Sequence, residues 1–373
     1  MFDDNKTRVA LVFGGQSPEH GVSCLTASRV LAAIDQDRFD VIGVGITKQG
    51  KWRRVELADI AAYQITDGHV PQVATSGPEA VWLQAETGCQ VATRDGSQLT
   101  DFKDVDVVFV LLHGPFGEDG TIQGQFEMMG VRYVGSGVAA SAMAMDKHYM
   151  RIAFEAAGLA VAPYEVIAPE QWRDNADEAL ARVQQLQFPL FVKPCRGGSS
   201  IGITRVDDPA ELAAAIEQAQ RYDPKVIVEQ GLLGCRELEC AVLADPELPE
   251  GCRASDVGEI KVLDGSGFYD FEVKYLHPEQ ATLALPAELT EAERTAIQQA
   301  ARQAFRSLGC EGLARVDVFL DAAGKVWLNE INTMPGFTEI SMFPSLWQHQ
   351  GLAYADLITR LIELALQRPL GLR

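Results

Sequence analysis

The chain has 373 residues, 47% of them hydrophobic and 23% charged, and carries a net charge of −20. That length exceeds one small core and predicts two or three packed domains. The acidity argues against broad attraction to nucleic acid or an anionic membrane, so an anionic ligand needs a local cluster of cations and backbone N–H groups. The longest apolar run, residues 107–112, is too short to span a bilayer. The polar opening Met-Phe-Asp-Asp-Asn-Lys-Thr-Arg shows no secretory signal. Seven cysteines without a Cys-x-x-Cys pair predict free thiols in a reducing cytoplasm.

Residues 8–13 read as an apolar strand ended by Gly14-Gly15. Ala27, Val30, Leu31 and Ile34 then recur at helical spacing, and residues 39–47 read as a second strand. This β-α-β opening implies a parallel sheet. Residues 50–100 are polar and turn-rich, with only short strand candidates. A strand over 105–112, the loop His113-Gly-Pro-Phe-Gly-Glu-Asp-Gly120, a helix over 122–129 and a strand over 131–135 complete a first α/β domain, 1–136. A second unit, 137–228, opens with an Ala/Met-rich helix carrying Met145-Asp-Lys147. It continues with a helix over 174–187 and a strand over 189–194. A glycine-rich loop, a strand over 202–206, a helix after Asp208-Pro209 and a strand over 225–230 follow. The third unit, 229–373, holds strands over 237–244 and 256–261 and a polar-aromatic loop at 263–279. Its long helix opens on the capping box Thr290-Glu-Ala-Glu293 and stops at Gly309. A hairpin over 314–332 precedes a last helix that buries Ile358, Leu361, Ile362 and Ala365. The fold class is therefore α/β, turning α+β in the C-terminal part.

The hairpin carries the sharpest chemical signal. A tight turn centred on Ala322-Ala323 places Arg315 opposite Glu330, with Asp317 on the diagonal. Side chains alternate along a strand, so Glu330 shares a face with Asn332. These oxygens suit a hard divalent cation. A solvated polar face with an ordinary ion pair is the alternative, but the flanking residues are Val, Phe, Leu, Ile and Trp, and buried charge needs a partner or a metal.

Other stretches point to phosphate. Lys193-Pro-Cys-Arg-Gly-Gly-Ser-Ser-Ile-Gly202 lacks P-loop order, because its lysine precedes the glycines. Gly198-x-Ser200-x-Gly202 matches the serine-hydrolase elbow literally, but that motif needs a helix after the turn and the residues here look extended. A loop folding its N–H groups and hydroxyls over phosphates remains, against a plain hairpin turn. Glu229-Gln-Gly231 ends an apolar strand before Arg236-Glu237. Such a crossover is more often plain structure, and the alternative is a segment offering backbone groups to an adenine edge and a carboxylate to ribose. Gly267-Phe-Tyr-Asp-Phe-Glu-Val-Lys-Tyr275 reads as a surface hairpin or as a lid bringing Lys274 to phosphate. Glu19, in Gly14-Gly-Gln-Ser-Pro-Glu19-His, sits where a strand hands over to a helix, the edge at which open α/β sheets bind ligands. It suits a substrate ammonium or simply the helix dipole. His113 follows a strand in the same way.

Taken together, these stretches resemble a D-alanine–D-alanine ligase of the ATP-grasp superfamily. The motifs that carry the resemblance are His113-Gly-Pro-Phe-Gly-Glu-Asp-Gly-Thr121, Met145-Asp-Lys147, Lys193-Pro-x-Arg-x-Gly-Ser-Ser-x-Gly202, Tyr269-Asp-Phe-Glu-Val-Lys-Tyr275, Arg315-x-Asp317 and Asn329-Glu-Ile-Asn-Thr-Met-Pro-Gly336. The resemblance implies a Rossmann-like parallel-sheet domain followed by a two-lobed ATP-grasp. It implies that Glu19 binds the ammonium of the first D-alanine, with His113 beside it. Lys147 and Lys193 would contact ATP phosphates under the Ser199 region. Glu229, Gln230, Gly231 and Leu232 would meet adenine, Glu237 ribose, and Lys274 the γ-phosphate. Tyr275 would join Ser199 and Glu19 in a triad that anchors the lid. Asp317, Glu330 and Asn332 would hold two Mg²⁺ ions, with Mn²⁺ as a substitute. Arg315 and the Gly336 N–H would face the developing oxyanion, and Ser341 with Met342 would hold the second D-alanine. The implied protein is a cytoplasmic homodimer that uses ATP to make a peptidoglycan precursor, without nucleic-acid or membrane partners. The rivals are an ATP-grasp ligase for another acid, a serine hydrolase built on Ser200, and a silent nucleotide-binding module.

Overall fold

The computed structural model describes residues 6–86, 88–262 and 281–371. The predicted loop at 263–279, with Lys274 and Tyr275, lies outside the described residues. Among those described, three sheets appear in chain order. The first holds β1 (Thr7–Gly14), β2 (Phe39–Ile46), β3 (Trp52–Arg54), β4 (Glu79–Gln84), β5 (Cys89–Asp95), β6 (Gln98–Val105), β7 (Val107–Val110) and β8 (Arg132–Tyr133). Their spatial order is β6-β5-β4-β3-β2-β1-β7-β8. The strands β2, β1, β7 and β8 run parallel, as the β-α-β opening predicts. Val9, Leu11 and Phe13 of β1 point into one core while Ala10 and Val12 point into another. Burial on both faces is why this strand reads as a continuous apolar run.

The stretch 50–100 supplies the antiparallel extension β3–β6. Its last strand is exposed along most of its length, so hydrophobic periodicity carries no signal there. The single strand predicted at 105–112 divides at Asp106, whose carboxylate accepts from the Arg8 backbone N–H at 2.8 Å and from its guanidinium.

The second sheet is antiparallel, in the order β11-β10-β12-β9: β9 (Tyr164–Ile167), β10 (Leu190–Pro194), β11 (Thr204–Val206) and β12 (Val226–Gln230). β9 has no counterpart among the predicted strands. The helix predicted over 174–187 starts earlier, as Pro169–Val183, with proline in its first turn and Gln171 accepting from the Ala168 N–H.

The third sheet is also antiparallel, in the order β15-β14-β13-β16-β17: β13 (Arg236–Ala244), β14 (Cys252–Val262), β15 (Ala281–Ala284), β16 (Leu313–Leu320) and β17 (Val326–Asn332). The helix Glu291–Ser307 opens on the predicted capping box, with both reciprocal bonds between Thr290 and Glu293 formed. It packs Ile297 and Ala301 against Cys240, Val242, Val316 and Val318. The helices Val138–Met145 and Lys147–Ala156 join that same core through Ala140, Met150 and Phe154. Their packing therefore lies with the third sheet, although the sequence groups them with the second. The C-terminal helix Tyr354–Gln367 buries Ile358, Leu361, Ile362 and Ala365 in a core shared with Phe109 and Leu111 of the first sheet's β7 and its exit.

The β16–β17 hairpin departs from the expected register, and the departure decides the site. Its turn has three central residues, because the Asp321 N–H donates to the Lys325 carbonyl at 3.1 Å. Gly324 takes φ +78°, and the Asp321 carboxylate accepts from the N–H groups of Ala323 and Lys325. This is the loop type that ends in a left-handed residue. The extra turn residue shifts the pairing by one, giving Val318 opposite Leu328. Continued unchanged, that register would put Asn329 opposite Asp317 and turn Glu330 to the far face. A bulge between Val318 and Asp317 absorbs Asn329 instead, so Glu330 faces Asp317 and Asn332 faces Arg315. The expected pairing of Arg315 with Glu330 is thus replaced, while the shared face is preserved.

Candidate active site

Two loops of the first sheet meet at the carboxyl edge of its parallel strands. Ser23, in the helix His20–Ala33, accepts from the Gly14 N–H at 2.8 Å and donates to the Leu111 carbonyl at 2.6 Å. Ser17 donates to the His113 carbonyl at 2.7 Å. Small hydroxyls thus staple the loop after β1 to the loop after β7 and bring Glu19 beside His113. The His113 ring is buried, and its Nδ1 pairs with the Met334 carbonyl at 3.0 Å. Among the described residues its Nε2 is buried with no hydrogen-bond partner, an orphan that a ligand would satisfy. Burial lowers the imidazole pKa, against the charge of Glu19.

Glu118, to which the sequence motif assigns no role, also sits in this pocket. Its carboxyl accepts from the Gly114 N–H at 2.8 Å and, across to the third sheet's exit loop, from the Met334 N–H at 3.4 Å. Burial pushes its pKa up to about 8, helped by Glu19, while the two N–H groups and Arg315 pull it down. The unfolded carboxyl titrates near its ordinary value of 4.5. The unfolded state therefore ionises first, and native stability falls as pH rises between those two values. Glu118→Gln removes this titration. Its stability relative to the parent is expected to rise by about 1.4 kcal/mol per pH unit within that window. Thermal melts from pH 4 to 9 measure this, and a pH-independent difference would mean that folding leaves the Glu118 pKa unshifted.

The glycine loop reaches the same place from the second sheet. β10 and β11 pair antiparallel, so a hairpin, not a helix, follows Ser200, and the serine-hydrolase elbow is absent. Ser199 and Ser200 take φ of +51° and +57°, a left-handed turn strained for residues with a Cβ. That turn aims the Ser199 hydroxyl at Glu19, with Oγ donating to Oε1 at 2.7 Å. Ser199→Ala breaks a hydrogen bond to a charged group, worth about 1.5–3 kcal/mol. The expected result is a ten- to hundredfold lower kcat/KM and a melting temperature lower by a few degrees.

Lys147 is the first residue of a new helix, not part of the preceding one. Asp146 leaves helical geometry and caps the N-terminus, accepting from His148 and Tyr149 N–H groups. Lys147 Nζ donates to the Gly197 carbonyl at 2.8 Å and lies 3.8 Å from Glu330. Lys193 Nζ bonds Glu229 at 2.6 Å. The Glu229 side chain is buried between Lys193 and Arg151. Burial alone would raise its pKa, but the two cations hold it down at about 2. The N–H groups of Gln230 and Gly231 are engaged by Pro163 and Pro189 carbonyls.

Arg315 grips Asp317 with two 2.7 Å bonds and lies 3.2 Å from Glu239, a second acid on β13 that sequence reading passed over. The Asn332 amide also reaches Asp317, at 3.1 Å. Among the described residues no three His, Cys, Asp or Glu side chains cluster as a metal site. The donor set is instead two carboxylates that face each other across the bulge and one amide, a chemistry that fits a hard cation sharing its shell with phosphate and water.

These groups line two adjoining cavities. One is walled by Glu19, His113, Glu118, Arg315, Asn332 and Gly336. The other is walled by Lys193, Ser200, Glu237, Glu239, Asp317 and Phe319. Lys147, Gly197, Gly198, Ser199 and Glu330 belong to both. Ser341 and Met342 line neither. Ser341 pairs with Thr338, and Met342 is buried so closely on Gly258 that a Cβ there would meet its sulfur at 2.4 Å.

The family models described as "D-ala D-ala ligase N-terminus" and "D-ala D-ala ligase C-terminus" match residues 8–136 and 153–363. The chain is 48% identical over 380 residues to a D-alanine–D-alanine ligase of Kineococcus radiotolerans, covering all of both chains. It is also 48% identical over 379 residues to one of Streptomyces avermitilis, covering 99% of this chain and 96% of that one. Among solved structures, the VanG D-Ala:D-Ser ligase of Enterococcus faecalis superposes with a TM-score of 0.80 at 34% identity, covering 96% of this chain and 99% of that one. The D-alanine–D-alanine ligase of Coxiella burnetii does so at 0.80 and 30%, covering 98% and 95%. With both family models matched in order along a three-sheet ATP-grasp architecture, this chain belongs to the D-alanine–D-alanine ligase family.

Proposed function

We propose that the protein joins two D-alanine molecules at the expense of ATP, giving D-alanyl-D-alanine, ADP and phosphate for cell-wall synthesis. The observation that carries this is the shared wall of the two cavities. Ser199, Lys147 and Glu330 line both cavities, so a group on the acidic side and a group on the lysine side would meet beside them. A carboxylate is a poor acyl donor until it is phosphorylated. The first D-alanine, its ammonium held by Glu19 beside His113, presents its carboxylate to the γ-phosphoryl group, and ADP leaves from the side lined by Lys193 and Glu237. Lys147 and Lys193 neutralise the transferring charge. The second D-alanine's amine then attacks the acyl phosphate, and Arg315 with the Gly336 N–H faces the tetrahedral oxygen as phosphate departs. Asp317, Glu330 and Asn332 would hold Mg²⁺, or Mn²⁺ in its place, which supplies charge neutralisation on the phosphates. No side-chain nucleophile is required.

The chain organises as a substrate domain over 1–136, a small ATP-grasp lobe over 137–228 and a larger lobe over 229–373. It works in the cytoplasm as a homodimer. All seven cysteines are free, and no described helix is long and apolar enough to cross a membrane. Light scattering on the purified chain tests the dimer.

ADP release is measured with Mg²⁺ and D-alanine, with L-alanine, D-serine and no-amino-acid controls, and the product is identified by mass. ADP formation that depends on D-alanine and yields the dipeptide is the expected result. Turnover with D-serine as the better acceptor would move the chain to the chemistry in the Enterococcus relative's name. ATP left untouched by every amino acid would overturn the reading.

A further inference from the structure

Arg151 lies one helical turn after Lys147 and is 1% exposed. Its guanidinium is spent on two different structures. Nε and Nη2 donate to Glu229 Oε1 at 2.9 and 2.5 Å, and the other Glu229 oxygen takes the Lys193 ammonium at 2.6 Å. Nη1 donates to the carbonyls of Leu328, at 3.0 Å, and of Asn329. Asn329 is the residue absorbed by the β17 bulge, and that bulge turns Glu330 onto the face of Asp317. One buried cation therefore touches the carboxylate that orients Lys193 and the backbone irregularity that orients Glu330, while its own helix begins at Lys147. A purely structural contact in this core would be served as well by apolar side chains in place of the whole Arg151–Glu229 pair, since burying charge is costly. A planar five-donor fork can satisfy a carboxylate and two carbonyls at fixed angles, which lysine cannot.

We propose that Arg151 is a positioning residue that sets the Lys193 ammonium and the Glu330 carboxylate in register with each other, so that one nucleotide phosphate chain and its cation can engage both. The inference rests on the nucleotide reading of this cavity.

Arg151→Lys keeps a charge for Glu229 and gives up the fixed fork to the bulge carbonyls. Displacing a residue that orients a ligand of a metal typically costs ten- to a hundredfold in metal affinity. The variant is therefore expected to bind Mn²⁺ in the presence of a non-hydrolysable ATP analogue about tenfold more weakly, read by electron paramagnetic resonance. Its KM for ATP should rise by a similar factor, while KM for the first D-alanine stays within about twofold. A role in stability alone would lower the melting temperature and leave both unchanged, and that result would overturn the proposal. If Arg151→Lys does not fold, Glu229→Gln takes its place. It breaks the arm to Lys193 and leaves the bulge arm, so it should raise KM for ATP and spare the weaker Mn²⁺ step. Equal effects on nucleotide and D-alanine would again overturn the proposal. Failure of the parent chain to bind the ATP analogue at all would instead remove the nucleotide reading on which both variants depend.

Discussion

Glu330→Gln is expected to cut dipeptide formation by at least about a thousandfold while leaving the fold intact. The substitution keeps the shape and one oxygen acceptor but removes the charge from the wall common to both cavities, opposite Asp317 and 3.8 Å from Lys147. Charge stabilisation of a transferring phosphoryl group by a bound cation is worth several kcal/mol, so the loss of a cation ligand falls mainly on kcat. Glu330 is only half-buried, so the melting temperature should move little. The measurement is kcat for dipeptide formation, with circular dichroism and Mn²⁺ binding alongside. Near-parental turnover would remove the metal assignment from Asp317, Glu330 and Asn332 together.

Arg315→Met should fail in two ways at once. As an oxyanion donor its loss is worth about a hundred- to a thousandfold in kcat. As the counter-charge of Asp317 and Glu239, both nearly buried, its loss leaves uncompensated carboxylates at a cost of about 3–5 kcal/mol. Arg315→Lys separates the two effects, because it returns a charge to the acids without the bidentate fork. It should recover most of the melting temperature and little of the kcat. Recovery of both would reduce Arg315 to an ion-pair partner with no place in the chemistry.

Much of the architecture was legible without coordinates, and for local reasons. β1 and β7 are buried on both faces, so their apolar runs are unbroken. The helix at 291–307 announces itself by Thr290 and Glu293, which bond each other within one turn. The glycines and hydroxyls of residues 197–202 lie next to Lys193 in sequence, so a turn between two strands follows from chain order alone. What was not legible depends on partners far away in the chain. β3, β4 and β6 each bury at most one residue, so no hydrophobic periodicity marks them. Met145-Asp-Lys147 reads as continuous helix because only the carboxylate's bonds to the next turn show that Asp146 ends one helix and starts another.

Residue types and local order thus determined the parallel opening of the first sheet, the glycine-rich hairpin turn and the acidic hairpin, because each depends on neighbours within a turn or a strand. The tertiary structure alone decided that Glu118 bridges two loops 216 residues apart, that the Glu229 carboxylate pairs with Lys193 and Arg151, and that a bulge returns Glu330 to the face of Asp317. The physical reason is common to all three. A buried carboxyl takes its role from whichever donors the packed chain brings within hydrogen-bond reach, and a strand's register is settled by turn geometry and cross-strand pairing that no single segment encodes.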